Sequence, residues 1–178
     1  MVESENQFLT LRSGRRICYA EYGDPAGEPL LYFHGWPSSR LQARLLDETA
    51  RALGLRIVAP DRPGIGNSDP QPGRHLRDWP PVLEEVAEQL GFGHFLVMGV
   101  SGGGPYAIAA ASMLPKRVRA ASVICGAPPL DEFPDRSALM FPYRVLLKLR
   151  PAAPLVMKPL LPFCRWVTSR KPDEAPLK

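Results

Sequence analysis

No stretch of these 178 residues approaches the roughly 18 consecutive apolar residues that a membrane-spanning helix needs. The opening "MVESENQF" has neither the basic nor the apolar segment of a secretory leader, so a cytoplasmic location is expected. Cysteine is sparse. Cys18, Cys125 and Cys164 are odd in number and lack metal-ligand spacing, which argues against a disulfide framework or a zinc site and predicts reduced, buried thiols. There is no internal repeat and no motif that reads DNA or RNA. Histidine is the scarcity with the greatest chemical consequence: the chain has only His34, His75 and His94.

Charge is unevenly spread. Residues 1–135 carry 13 Lys/Arg and 16 Asp/Glu, whereas residues 136–178 carry 9 and 2, so a mildly acidic body precedes a basic tail. The formal net charge of +4 is therefore no sign of a nucleic-acid partner. Within the tail, prolines at 142, 151, 154, 159 and 162 forbid one long helix and predict short helical pieces. They also break any continuous amphipathic face, so a membrane-surface role is not expected.

Along the body, apolar strands alternate with helical patterns. "FLTLRSGRRICYAEYG" (Phe8–Gly23) reads as a hairpin turning at Ser13-Gly14, and "PLLYFH" and "LRIVAPD" read as buried strands. Between these two strands, Leu41, Leu45, Thr49 and Leu53 recur every four residues, which predicts one amphipathic helix capped by Ser38 or Ser39 and ended by Gly54. A second helix is expected from about Pro80 to Leu90, then strand "FLVMGV", a small-residue helix, and strand "VRAASVICGA". Strands apolar throughout, separated by helices, imply a mostly parallel sheet covered on both faces, an α/β fold.

Gly99-Val100-Ser101-Gly102-Gly103 fits G-x-S-x-G and has the required context, strand before and helix after. Small neighbours let the backbone turn sharply, exposing the Ser101 hydroxyl and aiming the Gly102 N–H at an oxyanion formed there. "FHGWP" also follows a strand, and its His34-Gly35-Trp36 loop places the Trp36 N–H as a second donor. "DRPGIGNSD" follows a third strand, with Asp61 and Arg62 expected to brace that loop. All three segments fall at the carboxyl ends of parallel strands, where open α/β sheets carry their sites. A dinucleotide loop is the competing reading of GVSGGG, but the next strand lacks the acidic residue that would hold a ribose. Nothing near Cys125 in the sequence would activate its thiol as a nucleophile.

HGWP, DRPGIGNS and GVSGGGPYA, in this order and spacing, resemble the α/β-hydrolase superfamily, in particular the bacterial type with a helical cap. The resemblance implies a core over residues 1–130, the start of a cap over 131–170 and a frayed end at 171–178, the core being C-terminally truncated. It further implies Ser101 as nucleophile, backbone N–H groups of Trp36 and Gly102 as oxyanion donors, and no metal or organic cofactor. A serine at the nucleophile position favours ester, thioester or amide substrates over alkyl halides. The partner expected is a small acyl or ester substrate.

Relatives of this type place the triad acid and histidine after later strands, although some put the acid where Asp131 stands. None of the three histidines occupies the family's position. His94 opens the strand that Ser101 follows, about 20 Å away at the wrong end of the sheet. His34 lies beside the oxyanion loop, and His75 lies on the approach to the second helix. The chain is therefore expected to be nearly inactive as an esterase. A non-catalytic module that binds small acyl ligands, or a truncated pseudoenzyme, is the alternative. The last body strand, "ASVIC", is expected to lie exposed at the sheet edge and to promote self-association.

Overall fold

The computed structural model describes residues 3–128 together with Asp135, Ser137, Leu139, residues 141–149 and Leu155. Contacts divide the chain into two units, Met1–Pro128 and Pro129–Lys178. The first is built on six strands: β1 (Gln7–Thr10), β2 (Arg16–Gly23), β3 (Glu28–Phe33), β4 (Leu55–Pro60), β5 (Phe95–Val100) and β6 (Val118–Ile124). They form one sheet in the order β1-β2-β4-β3-β5-β6. The β1–β2 and β2–β4 pairs are antiparallel, and the other three pairs are parallel. The hairpin turns where expected, with Gly14 at φ 82°, a conformation open to glycine at no steric cost.

Both faces of the sheet's centre are covered, and alternation along β3 shows how. Leu31 and Phe33 point into a cluster with Trp79, Leu83 and Val86 of α2 (Trp79–Gln89) and Ala107 and Ala110 of α3 (Gly104–Met113). Leu30 and Tyr32 point the other way, to Ala43 and to Ala50 of the short helix α1 (Asp47–Ala52). Edge contacts between Phe33, Trp79 and Tyr106, with ring centroids 5.9 Å apart, tie α2 and α3 to the strand that leads into the HGWP loop.

The helix expected after Ser38 is different in the structure. A 3-10 segment, Arg40–Leu46, precedes α1, and the four-residue leucine repeat does not face the core: Leu45 and Leu53 are 80% and 66% exposed. Arg40, Ala43 and Ala50 are the buried residues instead. The reason is electrostatic. Arg40 is drawn inward onto the Asp61 carboxylate, which accepts from its backbone N–H and its Nη1, and this sets the segment's rotation. Ser39 does cap it, accepting from the Leu41 N–H.

The last strand is also less covered than a buried parallel strand. β6 lies at the sheet edge, six of its seven residues are exposed, and Cys125 beyond it is exposed rather than buried as expected. Cys18 is buried, which raises its thiol pKa, and Cys164 lies outside the described residues. In the second unit, α4 (Phe141–Leu149) is a short helix with Pro142 in its first turn, where a missing N–H is tolerated. The rest of residues 131–170, and all of 171–178, lie outside the described residues apart from those named above. Among the described residues no helix is long and apolar enough to cross a membrane.

Candidate active site

Ser101 follows the last residue of β5 and opens a 3-10 turn that runs directly into α3. Its backbone is at φ 50°, a left-handed conformation that costs a non-glycine residue on the order of 1–3 kcal/mol. The surrounding glycines make that turn feasible. A side chain at Gly99 would run into the Gly103 carbonyl, and one at Gly103 into the Phe33 carbonyl, so elbow and β3 are packed backbone to backbone. The segment after β6 closes the turn from the other side, where the Ala127 N–H donates to the Ser101 carbonyl at 3.0 Å.

The HGWP loop lies against this elbow. A Cβ built on Gly35 would sit 3.5 Å from the Ser101 Cβ, and one built on Gly102 would sit 3.6 Å from the Trp36 backbone nitrogen. The Gly35 N–H donates to Gln42 Oε1 at 2.8 Å. The Gly35 carbonyl accepts from His34 Nδ1 at 2.8 Å and from Arg62 Nη2 at 3.0 Å. Trp36 is 56% exposed, so the backbone rather than the side chain is what the fold fixes here.

The three histidines sit where none reaches Ser101 by a hydrogen bond. His34 is fully buried, and because its Nδ1 faces a carbonyl, that nitrogen carries the proton. Its Nε2 is buried without a partner among the described residues. Burial, reinforced by the nearby Arg62 charge, pushes its pKa down to about 4, so the ring is neutral near pH 7. His75 is exposed and precedes the 3-10 turn Leu76–Asp78, its N–H donating to Asp78 Oδ2 at 2.7 Å. His94 is exposed and immediately precedes β5, at the opposite end of that strand from Ser101. Asp131 lies outside the described residues.

The third loop divides its two charged residues between two tasks. Asp61 braces its own loop, receiving the Arg40 ion pair at 2.6 Å and the Asn67 N–H at 3.3 Å. Arg62 instead leaves that loop and bonds the carbonyls of His34 and Gly35, a connection that sequence reasoning missed. Its signal was position: it directly follows the Asp61 that leaves β4, on the same sheet edge as HGWP. A hollow of about 980 Å³ lies elsewhere. It is lined by Glu5, Glu21, Arg44, Asp47 and Arg56 near the start of β4, and its charges pair internally as Glu5–Arg44 and Glu21–Arg56. Among the described residues, no group of three or more His, Cys, Asp or Glu is placed to hold a metal.

A sharp, glycine-packed turn that presents a serine at the carboxyl edge of a mostly parallel sheet, beside a second backbone loop, defines a class of α/β proteins with a nucleophile elbow. The sequence matches the family described as alpha/beta hydrolase fold over residues 28–162, and the chain belongs to that family. It is 30% identical over 146 residues to a non-heme chloroperoxidase of Streptomyces lividans, covering 81% of this chain and 53% of that protein. Lipase 1 of Psychrobacter immobilis is 34% identical over 119 residues, covering 65% of this chain and 37% of the lipase. A hypothetical protein of Pseudomonas aeruginosa PAO1 superposes with a TM-score of 0.63 at 32% identity, over 72% of this chain and 46% of that one. The chain thus spans about half, or less, of the length of the curated relatives it matches.

Proposed function

We propose that Ser101 is the nucleophile of a serine hydrolase acting on a carboxylic ester or related acyl substrate. In this reading the Ser101 Oγ attacks the acyl carbon and the carbonyl electron pair moves onto oxygen. The resulting oxyanion is stabilised by the N–H groups of Trp36 and Gly102. The intermediate collapses as the alcohol departs with a proton, leaving an acyl-enzyme that water then hydrolyses. The observation that carries the reading is the left-handed Ser101 backbone, held at the strand end by glycine contacts beside the Trp36 amide. In this reading residues 131–170 would belong to a cap, and Asp131 would be the acid.

The missing base limits rate. Losing triad members costs on the order of 10⁶ in turnover, and the oxyanion site and binding leave ~10³–10⁴ over water. The chain's hydrolysis of p-nitrophenyl butyrate is therefore expected to match that of a Ser101→Ala variant. Added imidazole, acting as a dissolved base, is expected to raise the rate in the parent beyond the rise seen in Ser101→Ala. Full enzyme rates without imidazole would show that a base is present after all. The absence of any Ser101-dependent increment would overturn the nucleophile reading. If saturable acyl-ligand binding remained in that case, the non-catalytic module would be the better description, a reading favoured by a Ser101 hydroxyl without a hydrogen-bond partner among the described residues.

A further inference from the structure

We infer that Arg62 is a positioning residue that holds and polarises the Gly35–Trp36 peptide as an oxyanion donor, an inference resting on Ser101 being the nucleophile. The Gly35 carbonyl and the Trp36 N–H belong to one peptide group. That group is trans, Trp36–Pro37 being the only cis bond among the described residues, so its N–H points opposite to its C=O. Whatever fixes the carbonyl therefore fixes the donor. Two donors hold that carbonyl on the protein side, His34 Nδ1 at 2.8 Å and Arg62 Nη2 at 3.0 Å, while Arg62 Nη1 holds the preceding His34 carbonyl at 2.5 Å. With both carbonyls turned inward, the Trp36 N–H faces the elbow, where its nitrogen lies close to Gly102.

Arg62 is unusual as a buried cation. It is 5% exposed and makes no ion pair with a carboxylate among the described residues. Its guanidinium lies 4.9 Å from the centre of the Tyr106 ring, and Arg74 Nη1 donates to the Tyr106 hydroxyl at 2.8 Å. Tyr106 belongs to α3, the helix that Ser101 leads into, so one aromatic ring aligns the nucleophile's helix with the loop that supplies the second donor. A buried guanidinium bonded to a carbonyl draws electron density through the amide and makes its N–H a stronger donor, an effect that a low-dielectric surrounding preserves. Among the described residues its acceptors are peptide carbonyls rather than a carboxylate, so direct pairing does not neutralise the charge it sets beside this peptide.

The sequence contains a single Gly-Trp dipeptide, so labelling glycine carbonyl carbon with ¹³C and tryptophan nitrogen with ¹⁵N gives one coupled NMR signal for the Gly35–Trp36 peptide. In Arg62→Met the ¹³C shift is expected to move upfield as the carbonyl loses a charged donor. In Arg62→Lys, which reaches only one carbonyl, the shift is expected to be smaller. Butylboronic acid serves as the oxyanion probe. It is expected to move the Trp36 amide of the parent chain, not to do so in Ser101→Ala, and to bind about tenfold more weakly to Arg62→Met. Should Arg62→Met fail to fold, Arg62→Lys decides by the same two readings. An unchanged carbonyl shift with parental boronate affinity in the folded variant would overturn the inference and leave the Ser101 reading standing. No Ser101-dependent response in the parent chain would remove that reading and the inference together.

Discussion

His34 has no exposed atom, and its neutral ring is part of the folded structure. Its pKa is lowered from the ordinary 6.5 to about 4, chiefly by burial. Above pH 6.5 the ring is neutral in both folded and unfolded chains and contributes no pH dependence. Between pH 6.5 and about 4 the unfolded chain takes up a proton that the folded chain refuses, so stability falls as pH falls through this window. The loss is on the order of 3 kcal/mol when complete. His34→Asn keeps an N–H donor for the Gly35 carbonyl but cannot titrate. Urea unfolding of parent and variant at pH 7 and pH 4.5 is expected to show a markedly smaller loss in the variant. Equal losses would place the acid sensitivity on carboxylates such as Glu5, whose pKa the Arg44 hydrogen bond lowers.

At the scale of elements, the loops at the carboxyl ends of β3 and β4 are held by two arginines used in different ways. Arg62 crosses to the HGWP loop, whereas Arg40 and Asp61 form a buried ion pair that ties the 3-10 segment to the loop after β4. Removing one charge of such a pair leaves the other unpaired in the interior, which costs about 3–5 kcal/mol. Asp61→Asn is accordingly expected to lower the unfolding free energy from urea titration by an amount in that range, whereas replacing Arg40 and Asp61 together by Met and Leu is expected to restore much of it. A single variant with parental stability would mean that solvent reaches the pair. Here the sequence was partly misleading. The leucine repeat over residues 41–53 has helical spacing, yet the pull of Asp61 on Arg40 decides which side faces inward. A pattern of hydrophobicity carries no information about a charge arriving from a loop 21 residues away.

For the molecule as a whole, the sheet's two edges differ. β1 is a four-residue strand in a hairpin, whereas β6 is longer and has no further strand beside it among the described residues, with Val123 42% and Ile124 44% exposed. The outer side of α3 adds exposed Ile108 and Met113 beside it. An edge of this kind templates pairing with another strand. Sedimentation velocity across a concentration series is expected to show reversible self-association, reduced in Ala121→Lys, which sets a charge on that edge. A concentration-independent monomer that melts cooperatively would overturn this expectation.

Strand order of appearance, the alternation with helices and the elbow at Ser101 were all legible in the sequence, because each depends on local conditions. Apolar runs of strand length, glycine at positions where a side chain would meet a carbonyl, and proline at helix starts act over a few residues. The α/β class and the three loops at the carboxyl edge follow from them. What only the tertiary structure decided depends on residues far apart in the chain. It determined that Arg62 binds the carbonyls of His34 and Gly35, that His34 is buried with its proton committed to Gly35, and that Arg40 rather than the leucines turns inward. These outcomes are set by which polar groups meet once water has been excluded. The energy of such meetings depends on burial and distance, which sequence spacing does not encode.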